Sequence, residues 1–183
     1  MMFAKFILKI TTVALAVVVL VSFSSEQIPK VIQTKIEKSV KETYNVPEFT
    51  MEQITVSEAV QKEVKAELGV NHLFKLKSNT ETLGYLYLGE APSKKMVFDY
   101  IVMFTPEVTV KKSKVLIYRE DYGRQIGSQR WLKQFIGLSP DDAVNYGENI
   151  DAISGATISA ASMTTAISEV LAAMKVLKTY TIL

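Results

Sequence analysis

The sequence predicts an α+β fold: an antiparallel sheet of about four or five strands flanked by helices, behind an N-terminal signal or anchor segment. Three observations carry this prediction. After residue 24 helical periodicity comes first, short strand-like runs fill the centre, and helical periodicity returns toward the end, the order expected of helices segregated from an antiparallel sheet. At 48% hydrophobic and 22% charged, the composition is that of a globular chain. Its 183 residues suit one such body. The chain divides into a leader (1–24), an N-terminal helical part (25–81) and a C-terminal part (82–183) that holds the distinctive motif.

The leader begins with Lys5 and Lys9 and continues as a 14-residue apolar run, residues 10–23, interrupted only by Thr11, Thr12 and Ser22. That length suits the core of a signal peptide, with Ser22 and Ser24 as small residues before a cleavage site. If Lys9 snorkels, residues 3–23 are long enough to stay as a membrane anchor. Both readings leave Lys5 and Lys9 in the cytoplasm and export the body, to the periplasm or the outer side of the cytoplasmic membrane.

In the body, residues 28–44 place Ile28, Val31, Ile32, Ile36, Val40 and Tyr44 on one helical face, and Val46-Pro47 ends the helix. A second helix is expected from about Ser57, capped by Ser57 or by Thr55 with Glu58. Its stripe is Val60, Val64 and Leu68, and Gly69 is its C-terminal stop. Strands are expected at 72–77, 83–89 and 96–104, and over 108–119 as one long strand or two with a lysine-rich kink. Residues 128–136 read as a helix with Trp131, Leu132, Phe135 and Ile136 inward. Ser139-Pro140 reads as another helix start, and 159–177 as the last helix.

Charge and composition exclude several functions. Lys5 and Lys9 are the only charged residues in the leader; without them the 21 basic residues fall to 19 and balance the 19 acidic ones. A neutral body lacks the clustered basic face that nucleic-acid binding needs. No cysteine is present, which excludes disulfides, thiolate metal sites and iron–sulfur clusters. A single histidine, His72, makes a histidine-rich metal or haem site implausible, so no metal site is expected. It also leaves no nucleophile–base pair for hydrolysis.

The segment 151–165 (DAISGATISAASMTT) differs from the rest, alternating small polar and small apolar residues ahead of a helix. Gly155 permits a tight loop, and Ala156 and Ala160 keep close approach open. Thr157 and Ser159 place hydroxyls at a helix N-terminus, where free N–H groups favour an anion such as phosphate. The segment equally fits a Ser/Thr-rich helix cap with small packing residues. It has no basic residue of its own, so backbone groups would do most of the work on a phosphate.

Asp151-x-x-Ser154-Gly155-Ala156-Thr157 closely resembles the flavinylation motif of FMN-binding domains, such as the covalently flavinylated subunits of sodium-pumping NADH:quinone reductases and Rnf electron-transport complexes. The resemblance implies that the Thr157 hydroxyl is esterified to the phosphate of FMN by a flavin transferase that uses FAD and releases AMP. Asp151, Ser154, Gly155 and Ala156 match the positions that the transferase reads and the loop around the phosphate. More loosely, the resemblance covers about residues 82–180, through Gly84-Tyr85 and through Glu120-Asp121-Tyr122-Gly123 followed by Trp131. There the Thr-Pro of the family's Glu-Thr-Pro-Gly block is Asp121-Tyr122, and its next glycine is replaced by Arg124 or displaced to Gly127. Tyr85, Tyr122 and Trp131 become candidates for stacking on the flavin ring, and Glu120 for orienting a ring edge or a loop amide.

The expectation is therefore an extracytoplasmic electron-transfer flavoprotein with covalent FMN, a carrier or redox-complex subunit more than a stand-alone enzyme. Its partners would be the flavin transferase and a membrane redox partner or complex subunits, with no nucleic acid. Two other readings stand beside it: a non-redox cell-envelope binding protein in which the Ser-Gly-Ala-Thr segment is only a helix cap, and an FMN domain that reduces a small acceptor.

Overall fold

The structure, a computed structural model, describes residues 27–79 and 81–183. The expected leader lies outside the described residues.

Among the described residues the elements run α1 (Lys30–Tyr44), β1 (Thr50–Gln53), α2 (Glu58–Lys62), β2 (Leu73–Ser78), β3 (Glu81–Pro92), β4 (Val97–Phe104), β5 (Val110–Ile117), α3 (Gln129–Leu132) and α4 (Thr157–Thr179). The five strands form one antiparallel sheet in the order β1-β2-β3-β4-β5. The class is α+β, as expected.

The sheet is covered on both faces. On one side α1 lays Ile32, Ile36 and Val40 against Phe74, Leu76, Leu86, Ile101 and Met103. On the other, Ile167, Val170, Leu171 and Met174 of α4 share a core with Tyr85, Tyr87, Phe98, Tyr100, Val102 and Phe104. Alternate residues of β4 thus point into two different cores, which is why residues 96–104 read as a nearly unbroken apolar run. The one acid of that strand, Asp99, is buried and ion-paired to Arg119 at 2.7 Å.

α4 has the length and apolarity to cross a membrane, yet ten of its residues are buried, and it serves as the core helix of this face. It begins at Thr157, two residues before the expected start.

Other boundaries differ from the sequence reading for local reasons. α2 starts as expected at Ser57, whose hydroxyl accepts from the Val60 N–H at 3.4 Å, but it stops at Lys62 instead of continuing to Gly69. The Gln61 side chain accepts the Leu68 N–H at 2.6 Å and donates to the Ala66 carbonyl at 3.0 Å, folding the chain back so that Ala66 and Leu68 are buried without a helix. The expected 128–136 helix is a single turn, α3, followed by a 3-10 turn at Lys133–Phe135. Ser139-Pro140 starts no helix. The Ser139 N–H and hydroxyl both donate to the Asp142 carboxylate at 2.7 Å, closing a turn that ends there. Residues 108–109 belong to the β4–β5 turn, and β5 is one strand whose pairing with β4 shifts by one residue at Lys111, a bulge in its lysine-rich part. β1 was not foreseen.

Candidate functional site

The motif runs along the entry to α4. Ile153 packs against the core and accepts the Ala156 N–H at 3.2 Å, closing a turn over Ser154 and Gly155. Gly155 has φ +78°, a left-handed conformation that favours glycine. Upstream, Asp151 is held by its backbone: its N–H donates to the Gln134 side chain at 2.9 Å, and its carbonyl accepts the Trp131 indole N–H at 2.7 Å. Asp151, Ser154 and Gly155 are exposed, and Ala156 is buried.

α4 then opens in an unusual way. Its N-cap residue is Ala156, and no side chain caps it. The first N–H groups of a helix have no intrahelical acceptor, so an alanine cap leaves them for an external one. Thr157 is the first helical residue and is exposed; its hydroxyl makes one long contact, to the Ile153 carbonyl at 3.4 Å. Ser159 faces inward, 3% exposed, with its hydroxyl 2.9 Å from that of Tyr118.

A cleft of about 570 Å³ lies in front of this terminus, a size within the range of small-molecule sites. Three segments distant in sequence build it. The α4 entry gives Gly155, Ala156, Thr157, Ile158 and Ser159; the end of β5 and the residues after it give Tyr118 to Gly123; the β3–β4 loop gives Lys94, Lys95 and Met96. Gly123, at φ +83°, is what lets the second segment meet the first. A Cβ there would stand 2.6 Å from the Tyr118 hydroxyl and 3.4 Å from the Gly155 carbonyl. The rim carries exposed apolar side chains, Tyr122 at 87% exposure with Met96 and Ile158 about half exposed.

Of the aromatic candidates, only Tyr122 lies at the cleft. Tyr85 sits in β3 inside the core, and burial raises its phenol pKa. Trp131 is also in the core, edge-on to Phe135 with ring centres 5.2 Å apart, and its indole N–H is spent on Asp151. Glu120 lines the cleft but turns its carboxylate to the β3–β4 loop. Oε1 accepts from the Lys95 N–H at 2.5 Å, the Ser93 hydroxyl at 2.7 Å and the Met96 N–H at 3.2 Å. The Lys95 N–H first, then the Ser93 hydroxyl, hold its pKa below the ordinary carboxylate value.

Lys94, Lys95, Met96, Arg119 and Tyr118 escaped the sequence reading. The only signal was a Pro92-Ser93-Lys94-Lys95 turn between two strands, with nothing to say which end of the sheet it would occupy. The basic groups missing from the motif are supplied by this turn.

Residues 95–172 match the family model described as the FMN-binding domain. No curated protein matches the chain. The family match supports an FMN-binding domain over those residues, and so a flavin-binding protein. The cleft fits the group: an exposed threonine hydroxyl, an uncapped helix start and two lysines suit a phosphate, and an apolar rim suits a ring.

Proposed function

Starting from the match of residues 95–172 to the FMN-binding domain family, we propose that the protein carries FMN covalently on Thr157 and relays electrons outside the cytoplasmic membrane. The observation that carries the reading is the α4 start: an exposed Thr157 hydroxyl on a helix with no side-chain cap, opening into a cleft that also receives Lys94 and Lys95. In the attachment step the Thr157 oxygen forms a bond to the flavin-side phosphorus of FAD, the pyrophosphate P–O bond breaks, AMP leaves, and the hydroxyl proton passes to the medium.

With FMN attached, the first amides of α4 and the two lysines would hold the phosphate and offset its charge. Met96, Tyr122 and Ile158 would offer the ring an apolar bed open to solvent. The flavin, when bound, supplies the redox chemistry; the chain tethers it and leaves it accessible to a partner. A phosphoester has a clear use on an exported protein, since it prevents loss of FMN to the medium. The leader of residues 1–24 underlies the placement outside the membrane.

The test is co-expression with a flavin transferase, followed by denaturation and detection of flavin fluorescence on the protein band. Wild type should keep the flavin, and Thr157→Val should lose it with the fold intact. A wild-type band without flavin, beside a labelled control substrate, rejects the reading. Retained flavin on Thr157→Val moves the attachment to Ser154, because Ser159 is buried against Tyr118. Mass spectrometry of the mature protein reports the adduct and the N-terminus together.

A further inference from the structure

The β3–β4 loop that brings Lys94 and Lys95 to the cleft has a fastening of its own. Ser93 is buried, its N–H donates to the Met96 carbonyl at 2.7 Å, and its hydroxyl lies between that carbonyl (2.8 Å) and Glu120 Oε1 (2.7 Å). The successive N–H groups of Lys95 and Met96 converge on the same Glu120 oxygen. Successive amides pointing at one spot form an anion site, and here the anion is a side chain 24 or more residues away in sequence. The loop is thus closed on an internal carboxylate, while Lys94 and Lys95 line the cleft that holds Thr157.

We infer that Glu120 is a positioning residue: it latches the loop of residues 93–96 so that Lys94 and Lys95 stand over the Thr157 cleft, where they stabilise negative charge on the group bound there. The inference rests on the flavin reading for the identity of that group, but the latch is a property of the chain alone. Glu120 touches no flavin in this account. What it contributes is an oxygen acceptor at a fixed place, and that separates it from a carboxylate acting by its own charge. Glutamine keeps an acceptor oxygen and loses the charge; alanine loses both.

The experiment uses the full chain and has two readouts. First, backbone hydrogen exchange is measured at Lys95 and Met96 without flavin. Glu120→Ala should speed exchange at Lys95 by up to about tenfold, the factor that loss of one hydrogen-bond acceptor supports. Glu120→Gln should stay close to wild type. Second, the rate of covalent labelling with FAD and transferase, and the midpoint potential of the attached flavin, are measured for both variants. Glu120→Ala should label more slowly and shift the potential lower, because fixed cations favour the more negative reduced state. Glu120→Gln should match wild type. Lys94→Ala combined with Lys95→Ala should reproduce the Glu120→Ala shift, and adding Glu120→Ala to that pair should change nothing further. Equal behaviour of Glu120→Gln and Glu120→Ala, or unchanged exchange at Lys95 and Met96 in Glu120→Ala, overturns the inference. If wild type takes up no flavin, the functional reading fails, and the exchange pattern still decides the latch.

Discussion

The indole N–H of Trp131 donates to the backbone carbonyl of Asp151 at 2.7 Å, so the motif loop hangs from the core by the residue that opens it. A side chain that the sequence offered as a flavin stacker instead sets where the Ser-Gly-Ala-Thr turn begins.

Trp131→Phe should therefore separate packing from tethering. Phenylalanine keeps most of the apolar contact but has no donor. Asp151 is exposed and its carbonyl can take water, so the stability cost should be small, roughly 1–2 kcal/mol by urea denaturation. Covalent labelling of Thr157 should slow, because the loop loses its upstream tether. Labelling at the wild-type rate would show that the tether does not matter for attachment.

Gly123→Ala should be costly and Gly127→Ala should not. At Gly123 the new Cβ meets the Tyr118 hydroxyl at 2.6 Å and the backbone must hold φ +83°. Together these predict a loss of about 1–3 kcal/mol and a weakened Tyr118–Ser159 contact. At Gly127 a Cβ meets nothing within 4 Å. Thermal melts of the two variants side by side test the contrast, and equal melting temperatures would refute it.

Two isoleucines of α4 should behave oppositely. Ile167 is fully buried, and Ile167→Ala should cost about 2–5 kcal/mol. Ile158 is 53% exposed on the cleft rim, and Ile158→Ala should change stability by no more than about 0.5 kcal/mol. The same Ile158 variant should alter the absorption of the attached flavin. A large loss of stability at Ile158 would mean that it belongs to the core.

Alkali should unfold the protein. Burial, helped by the charges of Glu67 and Glu169, pushes the Tyr87 phenol up to about 12 from 10.0, and burial also raises Tyr44 and Tyr100. In the unfolded chain these phenols ionise near their ordinary value. Their contribution to stability is therefore complete below about pH 10 and is lost as pH rises toward the folded values, since only the unfolded state releases protons there. Denaturant midpoints measured from about pH 8 to about pH 11.5 should fall above about pH 10. Tyr87→Phe should make that fall shallower, and a flat wild-type profile would contradict the assignment.

Much of the sheet was legible because its strands carry their environment in their pattern. The apolar run 96–104 reads as a strand covered on both faces, and from Phe98 to Phe104 β4 is buried that way. Helix α1 was legible from its apolar stripe, of which Ile32, Ile36 and Val40 are buried and Val31 is exposed. β1, with the sequence Thr-Met-Glu-Gln, was not, because it is mostly exposed and exists only by pairing with β2. The end of α2 was not, because a glutamine side chain replaced the helical hydrogen bonds of the next turn.

The same division runs through the site. Sequence alone singled out Thr157 and its neighbours as candidates, through the motif's resemblance to a flavinylation site and because a tight turn, small residues and a hydroxyl at a helix start are local properties that adjacent residues fix together. Only the tertiary structure decided what stands opposite them. Lys94 and Lys95 reach the cleft because β3 and β4 are antiparallel neighbours whose connection lies beside the end of β5. Glu120 became a latch, and Trp131 a tether, through hydrogen bonds spanning 20 or more residues. Such contacts depend on which strands pair and which helix covers them, and local periodicity does not encode that.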